Sequence, residues 1–122
     1  MTAASGAAHG LLLRHAATSD GQLALPVDPA AIARAEGVDM PPVRDAYGRW
    51  DSAMALGRAL EPDGAEFGWP GDFAYALLMP AEIVRAMSAS DLDVPEMARR
   101  FGALWCQVRR RLAMLGLDDY CE

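Results

Sequence analysis

The side chains that could bind a metal or act as nucleophiles are few in this chain, and they are poorly spaced for either chemistry. His9 and His15 are six residues apart, which places them on different faces of a helix, and no Cys-x-x-Cys or His-x-x-x-His spacing occurs. Cys106 and Cys121 are too few for a disulfide framework, so we interpret them as reduced thiols, with Cys106 buried in a helix. We therefore expect no metal and no cofactor.

Two further groups of residues lack the partners that catalysis needs. The serines and aspartate within 88–91 have no histidine nearby in sequence, and such a pair most often caps a helix. The glycines between 64 and 71 do not separate a strand from a helix, so they predict turns rather than a phosphate-binding loop. The chain is therefore predicted not to be an enzyme.

Length and composition limit the class of protein. The chain has 122 residues, 52% of them apolar and 23% charged, which suits one compact domain over residues 1–122. Its 11 basic residues are all arginine and face 17 acidic ones, and a net charge of −6 argues against binding nucleic acid by bulk charge. No apolar run approaches the ~20 residues of a membrane span, and no signal peptide is recognisable, so we expect a cytoplasmic protein.

Turn residues divide the chain into helices, and no segment shows the sustained alternation of a strand. The sequence therefore predicts an all-α fold with at most a vestigial β element. Asp28 and Pro29 mark one helix start, and Tyr47, Trp50, Met54 and Leu60 recur at spacings of three to six, close to the stripe of a longer helix. The predicted helices cover residues 7–17, 30–36, 43–60, 73–87 with a kink or restart at Pro80, 95–101 and 104–115.

Positive charge is concentrated in the last of these segments. Residues 94–117 hold five arginines and one acid, whereas the other 98 residues hold six arginines and 16 acids. Gly102 is placed to turn between two helices, with Phe101 before it and Leu112 after it as core, which is the pattern of a helix-turn-helix. Three interpretations are open: a packing unit with solvated arginines, a DNA contact, or a protein interface. The apolar start of the second helix, residues 103–106, favours a protein contact over base recognition.

Three segments carry a resemblance to a known family. Residues 73–80 read F-A-Y-A-L-L-M-P, residues 97–117 contain M-A-R-R-F-G and V-R-R-R-L-A-M-L-G-L, and residues 26–33 read P-V-D-P-A-A-I-A. These segments resemble the F-A-x-x-L-L-M-P helix, the C-terminal helix pair and the P-V-D-P-x-x-I-A step of the ImmA/IrrE family of zinc metallopeptidases. The resemblance covers both ends of the chain. It implies a single domain of two parts, an ImmA/IrrE-like helical part over residues 1–93 and a helix-turn-helix-like pair over residues 94–117.

The resemblance fails where the family binds zinc. The family's active-site helix reads F-T-x-A-H-E-x-G-H, and its best match lies within residues 44–60, at W-D-S-A-M-A-L-G-R. This alignment puts Met54 and Arg58 at the two zinc histidines and Ala55 at the general-base glutamate. The position nearest the third ligand is Trp69, with Glu66 nearby. Family members also have a small sheet before the active-site helix. In this chain only residues 37–46 are available there, which is too few to form most of that sheet.

The sequence therefore predicts a non-catalytic relative of these peptidases that retains binding. The resemblance implies a regulatory protein of mobile elements, prophages or stress responses whose partner is a helix-turn-helix transcriptional regulator. Direct DNA binding by the C-terminal pair is the alternative, and a homodimer is compatible with the composition. The candidate partner-binding residues are Trp50, Trp69, Arg99, Arg100, Trp105, Arg109, Arg110 and Arg111.

Overall fold

The computed structural model describes residues 2–16 and 22–117, and within them the chain is all-α, as predicted. Cys121 and the end predicted for the first helix at residue 17 lie outside these ranges. Neither described range contains a strand, and the β structure there is a single bridge residue, Leu23, which agrees with the prediction of at most a vestigial β element. The helices are α1 (Ala3–His15), α2 (Pro29–Ala35), α3 (Ala46–Leu60), α4 (Trp69–Leu78), α5 (Ala81–Ala89), α6 (Val94–Phe101) and α7 (Trp105–Met114).

Aspartate side chains cap the N-termini of three helices, α2, α3 and α6. The Asp28 carboxylate accepts hydrogen bonds from the amides of Ala30 and Ala31 at 3.1 Å, which confirms the predicted start of α2. Asp45 accepts from the Gly48 amide at 2.7 Å and has an extended backbone. Helix α3 therefore begins at Ala46, and the boundary predicted at residue 43 or 44 was wrong.

Helix α4 begins earlier than the sequence predicted. Gly68 has a φ of 85°, which L-residues rarely adopt, and this turn directs the chain straight into a helix at Trp69. Residues 68–71 are therefore not a loop, and Asp72 lies in the first turn instead of capping the helix. The predicted segment 73–87 is two helices, because α4 ends at Leu78 and α5 restarts after Pro80.

Helix α4 is the centre of the core. Phe73, Ala74 and Leu77 are completely buried, and α4 packs against α1 on one side and α3 on another. The apolar side chains of the other helices join the same cluster, including those of the C-terminal pair. None of the helices in the described ranges is long and apolar enough to cross a membrane.

The buried face of α3 differs from the predicted stripe. Tyr47 is 67% exposed and Trp50 and Met54 are half-buried, whereas Ala53 and Leu56 are completely buried. Small residues dominate this inner face because α3 and α4 approach each other closely. A Cβ atom on Gly57 would lie 3.0 Å from the Phe73 ring and 3.2 Å from the backbone of Pro70 on α4.

The C-terminal helix pair has the predicted shape. Gly102 adopts a φ of 63° between α6 and α7, and Met97, Phe101, Val108 and Leu112 are buried on the facing sides. The guanidinium of Arg49 on α3 donates a hydrogen bond to the Gly102 carbonyl, which ties the turn to the core. Cys106, which the sequence predicted to be buried, is exposed, because the inner face of α7 runs through residues 107, 108, 111 and 112.

The α3–α4 contact predicts opposite effects for two glycine substitutions. Gly57→Ala should destabilise the protein by about 1–3 kcal/mol, because its methyl group meets backbone that cannot move aside. Gly71→Ala on α4 has open space around its Cβ, so it should be neutral or stabilise by up to about 1 kcal/mol. Urea unfolding of both variants measures the difference, and equal effects would contradict the close approach.

Candidate functional site

The positions that resemble a zinc motif lie in one continuous helix but offer no metal ligands. Residues 50–58 are helical within α3, so Met54 and Arg58 lie one turn apart on one side of it. A thioether is a weak ligand for zinc, the methyl group of Ala55 cannot accept a proton, and the Arg58 guanidinium repels a cation. No three His, Cys, Asp or Glu side chains cluster to hold a metal in the described part of the chain. The residues present therefore do not fit zinc.

Trp69, the position nearest the family's third ligand, is a core residue. It is only 5% exposed, and its ring stacks on Phe73 with the centroids 5.4 Å apart and the planes 12° apart. Its prediction as an exposed contact residue was wrong, because Gly68 turns the chain inward immediately before it. The buried indole Nε1 has no hydrogen-bond partner among the described residues.

Trp50 is also less available than predicted. Its half-buried ring packs on Tyr75 of α4, with centroids 4.7 Å apart and an interplanar angle of 58°. Burial raises the pKa of the Tyr75 phenol, so this aromatic pair presents an uncharged surface. Trp50 therefore lies at the edge of the core and does not project into solvent as a free contact residue.

The two histidines do not come together. His15 forms a 2.6 Å contact between its Nε2 and Glu36 Oε2 at the end of α2, and Arg14 lies 3.5 Å from the same oxygen. The hydrogen bond from His15 lowers the pKa of Glu36. His9 lines a cavity on another side of α1. These contacts link helices and form no metal site.

Arg111 is not part of an exposed arginine face. It is 5% exposed, and its Nε donates a 2.9 Å hydrogen bond to the carbonyl of Met79 at the end of α4. The reason is helical phase: Arg111 follows Gln107 by four residues and Val108 by three, so it lies on the inner face of α7. Burial lowers the pKa of Arg111, and the positive charge of Arg85 lowers it further.

Arg99 and Arg100 are exposed, but their charges are partly neutralised. Arg99 Nε donates to Glu96 Oε1 at 3.0 Å, and Arg100 Nε donates to Glu96 Oε2 at 2.8 Å. These bonds lower the pKa of Glu96 to about 2, with Arg99 as the largest cause. Arg99, Arg100 and Glu96 together carry a net charge of +1, whereas the two arginines alone would carry +2.

One surface retains the predicted contact chemistry, and we call it the α7 outer face: Trp105, Cys106, Arg109, Arg110 and Met114. Trp105 is 56% exposed and Met114 40% exposed, with the exposed arginines between them. Neither Arg109 nor Arg110 has a carboxylate within ion-pair distance among the described residues. Sequence reasoning missed Cys106 and Met114, although their spacing of four from Arg110 places all three on one side of α7.

The comparisons with known proteins add no relative. No protein-family model, curated protein or solved structure matches this chain. The resemblance to the ImmA/IrrE peptidases depends on the sequence motifs alone.

The Glu96 ion pairs predict a specific acid sensitivity. Because the pKa of Glu96 falls from 4.5 to about 2 on folding, its contribution to stability is complete above pH 4.5 and is lost as the pH falls towards 2. Glu96→Gln should therefore lower the free energy of unfolding at pH 7, and this difference from wild type should shrink between pH 4.5 and 2.

Urea unfolding across this pH range measures the effect. Glu66→Gln is the matched control, since Glu66 is exposed and forms no ion pair among the described residues. A difference between Glu96→Gln and wild type that stays constant down to pH 2 would contradict the ion-pair interpretation.

Proposed function

We propose that this protein is a non-catalytic relative of the ImmA/IrrE metallopeptidases that regulates transcription by binding a protein partner. The observation that carries the proposal is the α7 outer face, where a tryptophan, a methionine and two arginines without an ion pair among the described residues are exposed on one helix. Tryptophan, arginine and methionine are enriched at protein interfaces, and the first two are the commonest residues of binding hot spots.

The motif helix supports the non-catalytic part of the proposal. Gly57 aligns with the glycine of the family's zinc motif, and it lies where α3 meets the backbone of α4. The position that resembles the third ligand holds a tryptophan stacked in the core. The scaffold of such a site is thus retained while its nitrogen and carboxylate donors are replaced by side chains that pack.

The proposed partner is a helix-turn-helix transcriptional regulator with an acidic surface patch. The regulator follows from the family resemblance, since those peptidases act on or antagonise such repressors. The acidic patch follows from Arg109 and Arg110, whose charges attract carboxylates across an interface. A mobile element or prophage as the source and a cytoplasmic location belong to the same proposal.

Direct DNA binding is the second candidate, and the charges make it weaker. Glu96 neutralises part of the α6 charge and Arg111 is buried, so Arg109 and Arg110 are the unpaired cations of the helix pair among the described residues. Two phosphate contacts would give a salt slope of only about −2. The net charge of −6 would repel the rest of the DNA backbone.

The zinc prediction tests the loss of catalysis. Adding Zn²⁺ should leave the melting temperature unchanged, whereas a site filled at 100 times its dissociation constant would add about 2.7 kcal/mol of stability. Scanning calorimetry with Mg²⁺ as the control measures this. A zinc-dependent rise that Met54→Ala abolishes would contradict the proposal, because Met54 would then be a ligand.

The partner prediction tests the α7 outer face. A partner captured by crosslinking is purified and titrated by calorimetry against wild type and variants. Trp105→Ala and the double change Arg109→Glu with Arg110→Glu should each weaken binding by about 2 kcal/mol or more, roughly thirtyfold in affinity. Arg44→Glu with Arg58→Glu is the matched control, because it makes the same charge change on exposed residues of other segments that form no ion pair among the described residues.

The competing explanations have different outcomes in the same set of measurements. Unchanged partner binding by the α7 variants would remove this face from the interface. A duplex whose binding weakens with salt and is lost in the Arg109 and Arg110 variants would favour the DNA alternative. Concentration-dependent sedimentation that Trp105→Ala abolishes would indicate instead that the face joins two copies of this chain.

A further inference from the structure

A cavity of about 460 Å³ lies beside Arg111 on the inner face of α7, and Met114 of the α7 outer face also lines it. Its walls come from α1, α4, α5 and α7, together with Leu23 between α1 and α2. This volume is within the range of about 300–1,000 Å³ that is typical of small-molecule sites. We call it the Arg111 cavity, because Arg111 is its one buried charged side chain among the described residues.

Arg111 has more hydrogen-bonding capacity than the protein uses. A guanidinium has five N–H donors, and the hydrogen bond found for Arg111 among the described residues uses one of them, from Nε to the Met79 carbonyl. No carboxylate of the described residues lies within ion-pair distance of it. The Asp72 carboxylate raises the pKa of Arg111 from beyond ion-pair distance, and an anion in direct contact would stabilise this buried cation further.

The other charges around the cavity limit what kind of anion fits. Arg85 lines the cavity as a second cation, but the carboxylates of Asp72 and Glu82 line it as well. Arg85, Glu82 and Asp72 are all more accessible to solvent than Arg111, so the deepest charge is positive. Two lining carboxylates repel a doubly charged group such as phosphate more than a singly charged one.

Apart from the polar side chains of Thr2, Ser5 and His9 at α1, the remaining walls are apolar. Leu12, Leu23, Ala76, Ile83 and Leu115 line the cavity from five different segments, and Met114 of α7 lines it as well. Such walls favour the hydrocarbon part of a ligand, because its burial removes apolar surface from water.

We propose that the Arg111 cavity binds a small organic monocarboxylate whose apolar part contacts Leu12, Leu23 and Ile83 while its carboxylate pairs with Arg111. The observation that carries this proposal is a buried guanidinium with unused donors in a cavity that leucine and isoleucine side chains also line. The ligand site shares Met114 with the α7 outer face, but its test uses small probes and no protein partner, so its result does not depend on the proposed function.

The experiment uses three probes with the same hydrocarbon chain and different head groups: hexanoate, hexanol and hexylamine. Each is titrated into the full chain by calorimetry and by thermal unfolding. Hexanoate should bind saturably and raise the melting temperature, hexanol should bind about tenfold more weakly or worse, and hexylammonium should not bind. Equal binding of all three, or no saturable binding of hexanoate, would overturn the proposal.

Substitutions locate the site without depending on one residue. Arg111→Met should abolish the preference for hexanoate over hexanol, but it also removes the donor to Met79 and so tests folding at the same time. Ala81→Leu narrows the cavity without touching that hydrogen bond and should weaken hexanoate binding at least tenfold. Ala86→Leu, on an exposed part of α5 outside the cavity lining, is the matched control and should bind hexanoate as wild type does.

Methyl-labelled methionine gives a second readout. Hexanoate should shift the NMR signal of the Met114 methyl group, which lines the cavity, and leave that of Met40 unchanged. A wild-type affinity in Ala81→Leu, or shifts confined to methionines outside the lining, would place the binding elsewhere and overturn the assignment.

Discussion

The close packing of α3 on α4 is the constraint on which the rest of the structure depends. At Gly57 the two helices approach so closely that a single added carbon would lie 3.0 Å from the Phe73 ring. This approach brings Phe73 and Leu77 into complete burial, each contributing about 1.5–3 kcal/mol through the surface it removes from water. Because α1 packs on the other side of α4, loosening the α3–α4 contact would expose the centre of the core.

The same packing determines where the C-terminal pair can lie. Arg49 on α3 donates to the carbonyl of Gly102, and Arg111 on α7 donates to the carbonyl of Met79 just beyond α4. Each arginine thus connects a helix of one part of the chain to a backbone carbonyl of another. The carbonyl of Met79 lies at the negative end of the α4 dipole, where a cation is favoured. Two of the eleven arginines therefore hold the fold together instead of standing free on its surface.

Much of the fold could be predicted because its helix ends depend on local chemistry. Asp28, Gly102 and Gly116 act within one turn of the backbone they terminate, so the sequence alone indicates them. The inner face of α3 could not be predicted in this way. Helix α3 has apolar side chains on two of its faces. The face that packs against α4 is determined by the close approach at Gly57, which is a tertiary contact.

The candidate site was predicted only in part for a similar reason. A cluster of three consecutive arginines cannot lie on one side of a helix, since successive residues are rotated by about 100°. Arg109 and Arg110 face outward and Arg111 faces inward, but which of the three is buried depends on the phase that Val108 and Leu112 impose. Trp69 was misplaced because one left-handed glycine before it converts a predicted loop into the first turn of a helix.

Under the proposed relationship to metallopeptidases, the loss of the metal site would also have changed the stability of the scaffold. A catalytic centre keeps polar groups in unfavourable surroundings, and function is retained at a cost in stability. Here the corresponding positions carry Met54 and Ala55 at the edge of the core and Trp69 stacked on Phe73. The unsatisfied Nε1 of Trp69 is the one remaining polar defect of this kind among the described residues. Under this proposal, packing would have replaced coordination around α3, and α7, whose outer face exposes Trp105 and two arginines, would be the surface that other molecules contact.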